Sequence, residues 1–152
     1  MALRDEFMTA MKESMKAGTP ARTSTLRMIM AKLKDADIAA RPSGVTAVAD
    51  DQVVAMLRGM VKSRRESVAL YEQGNRPELA AKEQDEIAVI EGFLPQAMDD
   101  AGLEAAVAAA IAQSGAAGPK DMGKVMAALK AQHGAALDMG RAGPLVKAKL
   151  AP

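Results

Sequence analysis

The sequence predicts an all-α protein, with a larger antiparallel helical unit over residues 1–95 and a small three-helix unit over residues 96–152. Three observations carry this. Alanine supplies 33 of the 152 residues and methionine 12, a strongly helical composition. Apolar residues recur three and four positions apart, while β-branched residues seldom alternate with polar ones. Glycine and proline gather in clusters that end one apolar run and begin the next, and Pro95 separates longer helices from shorter ones.

The elements follow in order. Leu3, Phe7, Met8, Met11 and Met15 keep helical spacing, and Gly18 with Pro20 stops that first helix. A second helix is expected from Thr23 or Ser24, with Leu26, Ile29, Met30 and Leu33 inward, ending by Arg41-Pro42-Ser43-Gly44. The longest helix is expected over 51–73 with Asp50 as its cap and Val53, Val54, Leu57, Met60, Val61, Val68 and Tyr71 inward. Gly74 closes it. Pro77 suits the first turn of a fourth helix carrying Leu79, Ile87 and Ile90 toward Phe93-Leu94-Pro95. Beyond Pro95, Asp99 or Asp100 caps a helix with Leu103, Val107 and Ile111 inward. The run from Ser114 to Pro119 breaks the chain, and Met122, Val125, Met126 and Leu129 mark a sixth helix. A seventh starts at Met139 or Gly140 and carries Leu145, Val146 and Leu150.

Composition excludes several function classes. Without cysteine there is no disulfide, thiolate chemistry or cysteine-ligated metal centre, and the single His133 cannot form a cluster of imidazole ligands. Phe7, Tyr71 and Phe93 are the only aromatic residues, too few for a base-stacking platform. No apolar run has the length of a membrane span and the N-terminus lacks the basic-then-apolar order of a secretory signal, so a cytoplasmic protein with no membrane role is expected.

Nothing in the sequence assembles an active site. A histidine near a helix end beside Gly134 suits a capping role. The pairs Asp50-Asp51 and Asp99-Asp100 fall where helices begin. No phosphate-binding loop, dinucleotide fingerprint or zinc-protease motif is present. The expectation is a chain without catalytic residues, metal, cofactor or small-molecule substrate.

Binding is the better prospect. The net charge is +1, but residues 1–76 carry net +4, residues 77–104 net −7 and residues 105–152 net +4. Arg58, Lys62 and Arg65 share one face of the long helix, and Arg64 lies nearer its apolar stripe. Two readings stand for that face: a solvated, salt-bridged one, and a binding face for phosphate or an acidic protein surface. Lys120 and Lys124 flank a helix start expected at Gly118-Pro119, where unpaired amides would favour an anion. Gly123 between them suits close packing of another helix or approach of a partner backbone. Arg141, Lys147 and Lys149 add charge near the C-terminus. Gathered on one surface, these groups would contact a folded RNA through its phosphates and shape.

Several short motifs resemble the GatB/YqeY family. They are Leu26-Arg27-Met28, Lys32-Leu33-Lys34, Lys62-Ser63-Arg64-Arg65-Glu66-Ser67 with Tyr71, Gly74-Asn75-Arg76, Glu78-Leu79-Ala80, Lys82-Glu83, Glu86-Ile87 and Leu94-Pro95, and then Lys120-Asp121-Met122-Gly123-Lys124-Val125-Met126. The resemblance spans nearly the whole chain in the family's order. It implies a stand-alone relative of the helical tail of the GatB subunit of a tRNA-dependent amidotransferase, a tail that helps hold the tRNA while amide transfer occurs in other domains. By that likeness the chain is a non-catalytic adaptor for tRNA or for an amidotransferase complex, and a carbon–nitrogen ligase label with glutamine as amido donor would be inherited. The alternative is a protein-interaction module with no RNA role. Lys120 and Lys124 would be phosphate contacts, Met122 and Val125 core. The chain departs from the pattern at Gly134-Ala135-Ala136-Leu137-Asp138, where Ala135 stands in place of an arginine and Arg141 is the available substitute.

Overall fold

A computed structural model describes residues 2–96 and 98–151, leaving aside the side chain of Ala135. The described residues form seven α-helices: α1 (Leu3–Ala17), α2 (Pro20–Ala40), α3 (Asp50–Gln73), α4 (Pro77–Glu91), α5 (Asp100–Ser114), α6 (Met122–His133) and α7 (Met139–Leu150). Three single 3-10 turns intervene, at Arg41–Ser43, Pro119–Asp121 and Gly134–Ala136, and no strand occurs among the described residues. The all-helical class is as the composition and periodicity predict. The chain falls into two compact units, Met1–Leu94 and Pro95–Pro152.

In the first unit, α3 and α4 pack as a helical hairpin, α1 and α2 as another, and α2 also packs against α4. Phe7, Leu26, Ile29, Val53, Leu57 and Ile90 are fully buried at the centre. Phe7 meets Phe93 edge to face with ring centroids 5.0 Å apart, which ties α1 to the segment that follows α4.

Three sequence expectations need correcting here. The inward stripe of α1 is Leu3, Phe7, Ala10 and Ser14, whereas Met8 and Met15 are 50% and 59% exposed. Small residues at 10 and 14 let α2 approach closely, and the buried Ser14 hydroxyl is satisfied by the Thr23 hydroxyl at 2.6 Å and the Thr19 hydroxyl at 2.8 Å. Second, α2 begins at Pro20 and not at Thr23: Gly18 at φ 67° ends α1, and Pro20 occupies a first-turn position where no N–H is needed. Third, Asp50 does not cap α3. Its carboxylate accepts the Leu3 N–H at 3.3 Å, while the Gln52 side chain accepts the Ala49 N–H.

The bond from Leu3 to Asp50 belongs to a clasp around the start of α1. Arg4 donates to both Asp37 carboxylate oxygens at 2.7 and 2.6 Å and to the Val48 carbonyl at 2.9 Å, and Asp37 also accepts the Val48 N–H at 2.8 Å. The hydrogen bond from Arg4, then that from Val48, lowers the Asp37 pKa to about 2. A carboxyl held below its unfolded value stabilises the folded chain fully above about pH 4, and that contribution is lost as pH falls toward 2. Asp37→Asn is therefore expected to flatten the fall of melting temperature between pH 4 and pH 2 relative to the unaltered chain. Parallel acid limbs in thermal melts of the two proteins would contradict this.

The second unit is a three-helix assembly in which α5, α6 and α7 each contact the other two. Its core is Leu103, Val107, Ala110, Val125, Leu129, Leu137, Ala142 and Val146, so alanines from two helices permit close approach with modest side chains. Asp99 caps α5 by accepting the Gly102 N–H at 2.7 Å, and Asp138 caps α7 by accepting the Gly140 N–H at 3.0 Å. Among the described residues no helix is long and apolar enough to cross a membrane.

Candidate polyanion-binding surface

The nine basic residues singled out from the sequence divide by what their charges touch. On α3, Arg64 is only 15% exposed, and its Nε donates to Glu86 of α4, likewise 15% exposed, at 2.9 Å. Its Nη1 reaches the Met60 carbonyl at 3.3 Å and its Nη2 the Met28 sulfur at 3.7 Å. Arg64 is thus a brace between α2, α3 and α4. Arg65 pairs with Glu91 at 2.5 Å on the surface of the same hairpin. Arg58 is half-buried and has an interaction of its own. Of the α3 row, Lys62 remains exposed and makes no ion pair with a described residue.

The acidic stretch that follows explains this. Two of its carboxylates, Glu86 and Glu91, lie on the helix packed against α3 and take up the two arginines. The local charge excess of residues 1–76 is in that part neutralised by the neighbouring segment.

In the second unit the arginine is again engaged. Arg141 donates to the Met98 carbonyl at 2.9 Å and to Asp100 at 2.5 Å, bridging α7 to the start of α5. Lys149 lies 3.4 Å from Glu104. Lys120, Lys124 and Lys147 are exposed and pair with no described carboxylate.

Around Lys120 the local structure departs from expectation. The helix does not begin at Pro119: a 3-10 turn, Pro119–Asp121, precedes α6, and the Asp121 and Met122 N–H groups donate to the Gly118 and Pro119 carbonyls. Asp121 turns its carboxylate back to accept the Ala117 N–H at 2.9 Å, so it does not cap α6 by a side-chain bond. Of the amides expected to be free at this start, those of Asp121 and Met122 are used by the turn, because a proline-led 3-10 turn satisfies them sooner than an α-helix would. Gly123 is exposed, and a Cβ there would meet nothing within 4 Å, so helix packing inside this chain does not account for it. Met122 does meet α7: its methyl lies 4.0 Å from where a Cβ of Gly143 would stand. Lys147 is one turn beyond Gly143 on the same face of α7. The 3-10 turn thus carries Lys120 and the first turn of α6, which holds no acidic residue, carries Lys124, while Lys147 belongs to α7.

Chemically, these are three mobile ammonium groups suited to phosphate oxygens and offering no base-reading geometry. Among the described residues no group of three or more His, Asp or Glu side chains could hold a metal ion. His133 is half-buried at the last position of α6, beside Gly134. The clefts beside Arg65 and Glu91 and at the corner of Ser14, Gly18 and Thr23 are open depressions.

A family model described as Yqey-like protein matches residues 4–150. The chain belongs to the Yqey-like family. The match takes in both units of this Yqey-like chain, from the Arg4 clasp to the last turn of α7. No curated protein matches it. The sequence could have separated the engaged arginines from the lysines only by pairing Arg64 with Glu86 and Arg141 with Asp100, positions 22 and 41 residues apart with no spacing signal to link them.

Proposed function

We propose that this chain is a non-catalytic helical adaptor that holds tRNA, alone or within a tRNA-handling amidotransferase complex, through the phosphate contacts of Lys120, Lys124 and Lys147. The observation that supports this reading is the division of charge in the second unit. Arg141 and Lys149 are matched to carboxylates, while Lys120 and Lys124 around the start of α6 and Lys147 on α7 are left exposed without one. No acidic side chain stands in the first turn of α6 to offset Lys124. Gly123 between the two, with open space over it, lets a phosphate backbone approach the helix without a side chain in the way. Arg64, Arg65 and Arg141 hold the helices together in this reading, and Lys62 is the α3 residue left for a partner.

The expected result is retarded migration of unfractionated tRNA at low salt. Three phosphate contacts imply an affinity that falls about 30-fold to 40-fold between 50 and 200 mM salt. The Lys120→Ala/Lys124→Ala pair is expected to weaken binding about 10-fold and to lower the log–log salt slope by about 2, in fluorescence anisotropy with labelled tRNA. An unchanged slope in that double variant would overturn the assignment of these lysines. No retardation of tRNA at any salt would favour the protein-interaction reading.

A further inference from the structure

The methionines that the fold leaves outside are not scattered. Met8, Met11 and Met15 lie along one 60° strip of α1, next to its buried strip, and Met8 and Met15 are half or more exposed. Nothing in the first unit's core requires methionine at positions that alanine or lysine would fill at lower cost.

Contacts fix what lies beside the strip. Arg4, on the same face of α1, grips Asp37 of α2, and Ser14 bonds Thr23 of α2, so the methionine strip borders the α1–α2 seam along its length. The depression at one end of that seam is lined by Met15, Thr23 and Arg27 together. Along α2 the residues spaced from Thr23 by four and three positions are Arg27, Met30 and Lys34, and the half-exposed Ile38 follows one turn on. The other edge of the strip, on the solvent side of α1, carries Lys12 and Lys16 one turn apart. Lys12, Lys16, Arg27 and Lys34 are all exposed and make no ion pair with a described residue; Asp5 is the acidic residue near the outer edge.

We propose that this seam is a docking groove for an acidic amphipathic helix of another protein. The floor is polarizable and conformationally adaptable, which suits a partner's leucine-type side chains at successive turns. Both rims are positive, which selects glutamate- and aspartate-bearing flanks over basic ones. Three methionines over Met8–Met15 span about 10 Å of helix, room for two turns of a partner laid along them. A phosphate backbone gains nothing from a methionine floor, and among the described residues the acidic helices α4 and α5 of a second copy have their apolar strips buried, Ile87 and Ile90 in one and Leu103 and Val107 in the other.

The test uses the full chain with 13C-methyl methionine and two 18-residue synthetic helices. Both carry leucine at positions i, i+3, i+4 and i+7; one carries glutamate at the remaining positions and the other lysine. The expected result is that the acidic peptide shifts the Met8, Met11 and Met15 methyl resonances, that the basic peptide does not, and that Met8→Gln/Met15→Gln weakens the acidic peptide at least 10-fold with an unchanged melting temperature. Lys12→Glu/Arg27→Glu is expected to reverse the preference between peptides. Equal response to the two peptides, no response to either, the same shifts on adding tRNA, or the same shifts on concentrating the chain alone would each overturn the proposal.

Discussion

Phe7→Ala is expected to lower the stability of the first unit by about 3–5 kcal/mol, the usual range for deleting a fully buried phenylalanine. Phe7 has no exposed surface, and its ring is held edge-on by Phe93, so the substitution removes both a large apolar burial and an aromatic pair. Collapse around the void is restricted, because Ala10 and Ser14 on the same strip already bring α1 close to α2. The loss is large against the roughly 5–15 kcal/mol that holds a domain together. Tyr71 is the only tyrosine of a chain without tryptophan and belongs to α3, so its fluorescence reports on this unit. Urea unfolding followed at Tyr71 should show a midpoint lowered by about 3 M, or no folded baseline, with Phe7→Leu losing about 1–2 kcal/mol. A loss below about 1 kcal/mol for the alanine variant would show that the site refills, and the anchoring of α1 to the segment after α4 would have to lie elsewhere.

The helices were legible in the sequence because each is specified locally. Asp99 before an Ala-Leu run, Gly74 before Asn75-Arg76-Pro77, and Pro77 at a first turn act through bonds and torsions within a few residues. The strips of α3 followed for the same reason: Val53, Val54, Leu57, Met60, Val61 and Val68 are buried as their spacing predicts. The strip of α1 was not legible, because Met8, Met11 and Met15 outweigh Ala10 and Ser14 on any scale of apolarity. What buries the smaller pair is the close approach of α2, sealed by three hydroxyls distributed over residues 14–23. The sequence around Asp50 predicts a cap because a cap is a local device, whereas its observed partner is the N–H of Leu3, 47 residues away. The surface was legible in part. Residue type located the positive charge, but deciding which charges remain available needs the positions of Glu86, Glu91, Asp100 and Glu104, and these are set by tertiary packing.

Arg64 is where these two kinds of reading disagree most, and a double-mutant cycle separates them. Within a family motif of basic residues it looks like a contact for a partner, yet its guanidinium spans from Glu86 to the Met60 carbonyl and the Met28 sulfur and is nearly covered. Arg64→Met alone leaves a mostly buried Glu86 without its partner, and is expected to cost about 2–3 kcal/mol, somewhat under the figure for a fully buried pair. Glu86→Leu alone strands the guanidinium at a similar cost. Arg64→Met with Glu86→Leu replaces both charges by apolar side chains of comparable length in a site already bordered by Met28, and is expected to return to within about 1 kcal/mol of the unaltered chain. Urea unfolding of the three variants, read at Tyr71, gives the coupling. The same folded double variant then decides the role: as a brace, its loss leaves tRNA affinity and salt slope unchanged, whereas a direct phosphate contact would lower the slope by about 1. A slope lowered in the double variant while its stability is restored would move Arg64 from the scaffold to the binding surface.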